Sequence, residues 1–312
     1  MRHFWGVGAC YLDTILSVPR YPSEDEKLRA LSISRRRGGN CPNTLEVLRD
    51  LLRDAGVLTT LGLIAVLPNQ QSPAIGKIEE SLGSGVSLQA CLFREEFHEP
   101  PSSYIIRSAA TDSRTIINYN DLPEMTCDEF FRIADTLNAD DTWYHFEGRI
   151  PDVTLQCMKH LRASHAGARI SVELEKPGRD GLQELAPEAD VVFYSKSWAM
   201  GNGYHDAEEC LRAQAKLAPT ALLLCCTWGE QGAYALEPRT GAYCSIVAFH
   251  PEGSKVIDTI GAGDTFIAGV LFTFLEGRKT WSLEQRLTFA NRLAGFKVVQ
   301  EGFSGLSSHM QL

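Results

Sequence analysis

Apolar residues along this chain recur in two rhythms. Short unbroken apolar runs bounded by turn residues, "FWGVGA" (4–9), "ARISVEL" (168–174), "ADVVFYS" (189–195) and "TALLLCCTW" (220–228), predict strands buried on both faces. Between them, "NTLEVLRDLLRDAG", "VTLQCMKHLRASH" and "AEECLRAQAKLA" space their apolar positions three and four apart, which predicts amphipathic helices. The alternation predicts an α/β fold: a mainly parallel central sheet with right-handed crossovers and helices on both faces, three layers in all. In such sheets ligands gather beyond the carboxyl ends of the strands.

Two stretches break the rhythm. Residues 10–33 and 96–120 alternate β-branched and aromatic residues with polar ones and carry Pro, Asp and Ser turns, the pattern of antiparallel hairpins. They are expected to build one small β-sheet lid, with residues 1–9, 34–95 and 121–312 forming the body. The last residues, "SGLSSHMQL", are expected to fray.

Charge and cysteine usage narrow the partners. A formal net charge of -9 argues against nucleic acid, whose phosphates need a basic face. No stretch reaches the roughly 18 apolar residues of a membrane span, and the first residues lack a signal peptide's apolar core, so a cytoplasmic protein without a membrane partner is expected. The nine cysteines show no C-x-x-C spacing and read as reduced core thiols.

The strongest chemical signal is "DTIGAGDTFIAG" (258–269), which runs into an apolar, helix-like segment. Glycine inside a helix costs about 1 kcal/mol relative to alanine, so packing alone does not explain the run. Gly261 and Gly263, with Ala262 between them, let successive backbone N–H groups converge on one point at a helix N-terminus, an anion hole. Asp264 follows directly, where a carboxylate suits either an N-cap or a base. A base beside an anion hole fits a phosphoryl group in transfer, with the carboxylate taking the proton of the attacking hydroxyl. No G-x-x-x-x-G-K-[ST] loop occurs, so this is not a Walker site.

"DTIGAGDTFIAG" resembles the C-terminal signature of the ribokinase-like (PfkB) carbohydrate kinases, and "RRRGGNCPNTLEVL" resembles their N-terminal Gly-Gly-Asn signature. Further stretches, among them "SRTIINYNDLPEMT", "HFEGR" and "SVELEKPGRDGL", are similar to the ketohexose-phosphorylating branch. The resemblance implies a ribokinase-like α/β/α body with a β lid, and ATP-dependent transfer to a ketohexose, most simply fructose to fructose 1-phosphate. It implies ATP with Mg²⁺, leaves K⁺ open, and implies a homodimer joined through the lid sheets. By the same resemblance Asp264 is the catalytic base, residues 261–263 the anion hole, and Arg114 a lid group that reaches the transferred phosphate. Asp13, Asp25, Gly39, Asn40 and Asn43 match the sugar-binding positions, where carboxylates and amides can each engage neighbouring hydroxyls. Lys196, Gly229, Gly232, Thr259 and Phe249 match the nucleotide side. Glu147 and Arg149 in "HFEGR" read equally as a structural ion pair.

One departure stands out. Many members carry an Asn-x-x-Glu that organises Mg²⁺, whereas the comparable stretch here is Ser195, Lys196, Ser197 and Trp198, which leaves the metal ligands unassigned. Two rivals stay open at this point: a kinase for another sugar, a sugar acid or a nucleoside, and a catalytically idle sugar sensor.

Overall fold

The computed structural model describes residues 2–111, 113–137 and 141–312. Strands are numbered in chain order: β1 (Arg2–Val7), β2 (Tyr11–Val18), β3 (Ser32–Gly38), β4 (Thr59–Ile64), β5 (Val66–Pro68), β6 (Val86–Ser87), β7 (Leu92–Arg94), β8 (Ser102–Ser108), β9 (Arg114–Tyr119), β10 (Thr142–Glu147), β11 (Arg169–Leu174), β12 (Val191–Ser195), β13 (Leu223–Thr227), β14 (Ala233–Leu236) and β15 (Tyr243–Ile246). The helices are α1 (Asn40–Asp54), α2 (Pro73–Leu82), α3 (Cys127–Thr136), α4 (Pro151–Ser164), α5 (Lys196–Gly201), α6 (Ala207–Leu217), α7 (Ala262–Leu275) and α8 (Leu283–Val298).

The main sheet has the order β15-β14-β13-β12-β11-β10-β1-β4-β6 and is parallel except at β14 and β15. All four apolar runs of the sequence are strands in it: β1, β11, β12 and β13. Buried side chains divide into two clusters. One is shared with α1, α2, α7 and α8, the other with α3, α4 and α6. Phe4 and Trp5, successive residues of β1, belong to opposite clusters, as the alternation of a strand covered on both faces requires. Burying each such side chain contributes roughly 1.5–3 kcal/mol. Helix α7 is buried almost all round, with Phe272 stacked on Phe289 of α8 at 5.2 Å. An encased helix explains why its sequence is apolar without a polar stripe.

The second sheet has the order β3-β2-β8-β9. Each expected hairpin forms antiparallel, β2 with β3 and β8 with β9, and the two join through a parallel β2–β8 pairing. Strand β3 runs to Gly38, past the boundary at residue 33 expected from the sequence. The run Arg35, Arg36, Arg37 hides it, because charged residues read as loop, yet an edge strand carries charge readily. Leu31, Ile33, Tyr104, Ile117 and Tyr119 leave this sheet with an exposed apolar face, while Ile116 faces the other way, into the cleft described below.

The chain's end is not frayed as expected. Leu306 and Ser307 are buried, and Ser307 Oγ donates to Asp54 Oδ2 at 2.5 Å, tying the tail to α1. All nine cysteines are free, and no helix among the described residues is long and apolar enough to cross a membrane.

Candidate active site

A cleft of about 460 Å³ opens between the carboxyl ends of the main-sheet strands and the small sheet. Its first wall is the turn from β3 into α1. Gly39 has φ +104°, and a Cβ there would lie 2.2 Å from the Ala9 carbonyl oxygen, so only glycine lets the chain turn so sharply. That turn delivers Asn40 and Asn43 to one side of the cleft from the first turn of α1.

Both amides are held in fixed orientations. Asn40 Nδ2 donates to Glu173 Oε1 at 2.8 Å and to Glu175 Oε2 at 3.0 Å, which uses both of its hydrogens. Its oxygen is therefore the atom left for a ligand. Asn43 Oδ1 accepts from Arg37 Nη1 at 2.8 Å, and its Nδ2 donates to Asp264 Oδ2 at 2.7 Å. Arg37 is itself buried and paired with Glu46.

The opposite wall is the Gly-Ala-Gly-Asp turn. Gly261 adopts the left-handed conformation, φ 79°, and precedes α7 without any side-chain cap. Asp264 is thus the third helical residue and not the N-cap that its position in sequence allowed. The N–H groups of Gly263 and Asp264 make no hydrogen bond within the described residues, as expected in a first helical turn, whereas the Ala262 N–H donates to the Thr259 carbonyl at 3.3 Å. Asp258 braces the turn: its Oδ1 accepts from the Ile260 N–H at 3.0 Å, and its Oδ2 meets Arg36 at 3.0 Å and Lys297 Nζ at 3.2 Å. Lys297 is fully buried, and its ammonium also donates to the carbonyls of Asp258 at 3.0 Å and Gln300 at 3.3 Å.

Burial sets the electrostatics. Asp264 is raised to about 7 by desolvation, which the Asn43 hydrogen bond opposes and the charges of Glu175 and Glu147 reinforce. Glu173 is pushed well above the ordinary carboxylate range by burial, then by Asp264 and the other two glutamates. Asp13 is raised by burial, against a lowering hydrogen bond from Ser103. Lys297 is lowered by burial although Asp258 opposes the shift. The cleft is therefore acidic at its floor, while Arg36, Arg114, Arg149 and Arg179 stand on its walls. Arg36 Nη2 and Arg149 Nε are buried there without a partner among the described residues, donors placed to receive an anionic ligand.

Of the residues singled out from sequence, Asp13, Gly39, Asn40, Asn43, Arg114, Thr259, Gly261, Gly263 and Asp264 line this one cleft. Six do not. Asp25 sits exposed between β2 and β3 with φ 58°. Ala262 turns aside, its amide spent on Thr259. Lys196 is exposed, its ammonium 5.8 Å from the Trp228 ring centre. Gly229 and Gly232 shape the turn after β13, and a Cβ on Gly232 would meet the Ile246 carbonyl at 1.9 Å. Phe249 packs on Phe296 at 5.2 Å beneath Arg292. Glu147 and Arg149 are not an ion pair: Glu147 accepts the Ala9 N–H at 2.9 Å and Arg149 pairs with Glu124.

Sequence reasoning passed over Glu173, Glu175, Arg36, Arg37 and Lys297. A signal for two of them existed. In "SVELEKP" an acid interrupts an otherwise apolar buried strand and recurs two residues on, which puts both carboxylates at the strand's ligand-facing end.

Known proteins resemble the chain over nearly its whole length. The profile of the pfkB family carbohydrate kinases matches residues 78–309. Mouse ketohexokinase is 33% identical across 96% of this chain and 97% of that protein. Among solved structures, Arabidopsis thaliana ribokinase complexed with ribose and ATP superposes with a TM-score of 0.76 at 20% identity, over 97% of this chain and 94% of that one. The Methanocaldococcus jannaschii nucleoside kinase gives 0.72 at 19% identity, over 98% and 94%. The chain belongs to the PfkB carbohydrate kinase family and has its ribokinase-like fold. It is an ATP-dependent sugar kinase, which removes the idle sensor from the readings left open.

Proposed function

We propose that the chain phosphorylates a ketohexose, converting fructose to fructose 1-phosphate. The observation that carries the reading is that Asp264, a carboxylate raised to about 7, shares a hydrogen bond with Asn43 in the same cleft as Asn40 and Asp13. A general base works best when its pKa lies near the working pH. Asp264 takes the proton of the sugar's primary hydroxyl; the oxygen forms a bond to the terminal phosphorus of ATP, and the bond to the ADP oxygen breaks. The free amides of Gly263 and Asp264, with Arg114 and the unpartnered Arg36 donor, hold the charge on the phosphoryl oxygens.

Substrate polarity follows from the fixed amides. Asn40 offers only an acceptor and Asn43 retains one N–H, so a hydroxyl, which both donates and accepts, satisfies the pair. A sugar acid fits less well, because Arg37, the cation nearest Asn43, is already neutralised by Glu46. Mouse ketohexokinase as a relative supports a ketose. Glu147 and Glu175 supply hard oxygen donors of the class Mg²⁺ takes. Bound with the nucleotide, that ion supplies charge neutralisation on the phosphates.

The small sheet is read as a lid over the sugar side, and its exposed apolar face as the surface through which two copies pair. Free thiols throughout fit a cytoplasmic protein. A coupled assay of free sugars with ATP, with and without K⁺, tests the reading. Fructose should give the highest kcat/KM, and a clear preference for ribose, a sugar acid or a nucleoside would overturn it.

A further inference from the structure

Helices α3 and α4 bring Asp135, His160 and His165 together at a place unrelated to the cleft. One carboxylate oxygen and one ring nitrogen from each histidine lie within 4.8 Å of one another. Helix α4 leaves the ligand-bearing end of β10, so its 14 residues, at about 1.5 Å each, carry His160 and His165 toward the opposite edge of the sheet.

The histidine chemistry points to a ligand. His165 is 6% exposed, and its Nε2 meets the Ala134 carbonyl at 3.2 Å. A carbonyl only accepts, so Nε2 carries the proton and Nδ1 the lone pair. That Nδ1 is buried and has no partner among the described residues. A buried imidazole lone pair without a donor is costly, and a second nitrogen anchored on a backbone carbonyl is the arrangement that orients a metal-ligating histidine. His160 is held by stacking on Phe131, ring centres 4.2 Å apart and planes within 15°. Its Nε2 faces Asp135 Oδ1 at 2.8 Å.

We propose that Asp135, His160 and His165 form a site for Zn²⁺, with water in the fourth position, that ties α3 to α4. Two imidazoles and one carboxylate suit a borderline ion, being too soft a set for Mg²⁺ or Ca²⁺ and too hard for Cu(I). Bonds of about 2.0–2.2 Å set tetrahedral ligand atoms roughly 3.4 Å apart. The exposed Asp135 carboxylate, now 2.8 Å from His160 Nε2, is free to swing off the imidazole to make room for the ion. Its carboxylate then exchanges the hydrogen bond it accepts from His160 for a bond to the ion, and the His160 proton moves from Nε2 to Nδ1, which frees the Nε2 lone pair as a ligand.

Co²⁺ titration of the metal-free full-length chain, read by visible d–d absorption, tests the site. The site predicts bands that saturate at one equivalent and vanish when Zn²⁺ is added. Asp135→Asn and His165→Gln should weaken Co²⁺ binding by at least the roughly 10–100-fold that loss of even an outer-shell partner costs. Asp135→Asn changes an exposed residue, so its fold and kinase rate should match wild type even if His165→Gln is unstable. Absence of the bands overturns the site. So do bands unchanged in Asp135→Asn, or dominated by sulfur charge transfer, which would place the ion on a cysteine.

Discussion

Asn43 Nδ2 donates to Asp264 Oδ2 at 2.7 Å across the gap between the two signature turns, which stand 221 residues apart in sequence. This bond favours the charged carboxylate, while burial favours the neutral one, and the balance leaves Asp264 at about 7. The base must be ionised to take a proton, so kcat/KM should rise with pH and level off above about 7. Asn43→Ala removes the opposing bond and should move that rise to higher pH, which a pH–rate profile of both proteins checks. An unchanged midpoint would mean that Asn43 does not tune the base.

The same shift makes a stability prediction of definite sign. Asp264 is higher in the folded chain than its unfolded value of about 3.9. Its contribution is therefore present in full below about pH 4 and is lost as pH rises through 7, by up to about 4 kcal/mol. Asp264→Asn carries no charge to desolvate. It should melt above wild type at pH 8, with the difference shrinking toward pH 4 in paired thermal scans.

Glu173 and Glu175 orient the Asn40 amide, and on the proposed reading they act on the sugar through it. Removing the Glu175 side chain should raise sugar KM about tenfold, for the loss of roughly 1–1.5 kcal/mol of positioning. A deoxy analogue lacking the hydroxyl that Asn40 receives should lose less affinity in Glu175→Ala than in wild type. Equal losses would show that the clamp does not reach the substrate.

Lys297 is the buried cation that ties Asp258 to the chain beyond α8. Lys297→Met keeps the apolar volume but leaves two carbonyls and a carboxylate short of a donor. A cost of about 1–3 kcal/mol follows, measurable by chemical denaturation. The loosened turn should also raise the KM for ATP more than that for sugar.

The exposed face of the small sheet carries the dimer proposal. Ile117 is 55% exposed and lies outside the cleft lining, so Ile117→Lys should leave each chain folded but yield a monomer in analytical ultracentrifugation. A dimer that survives this change would place the interface elsewhere.

Much of this was legible in the sequence, for identifiable reasons. Strands β1, β11, β12 and β13 were readable because burial on both faces leaves an unbroken apolar run. Strand β3 was not, since its three arginines read as loop: Arg35 faces solvent, Arg36 pairs with the distant Asp258, and the buried Arg37 is neutralised by Glu46. The two glycine turns were readable because their backbone admits little else. Lys297 was not, because a charged residue becomes informative only when its burial is known, whereas Glu173 and Glu175 left a readable interruption in an apolar strand. Lys196 and Phe249, matched to the nucleotide side by position in sequence, lie outside the cleft lining, Lys196 exposed beside Trp228 and Phe249 packed on Phe296.

The central claim is that Asp264 is the base for phosphoryl transfer to a ketohexose. It is tested most directly by ADP release with fructose as acceptor and saturating ATP, comparing wild type with Asp264→Asn. A fall in kcat of roughly 100- to 10,000-fold is expected, with fructose still bound by the variant in calorimetry. Turnover by Asp264→Asn close to the wild-type rate would contradict it.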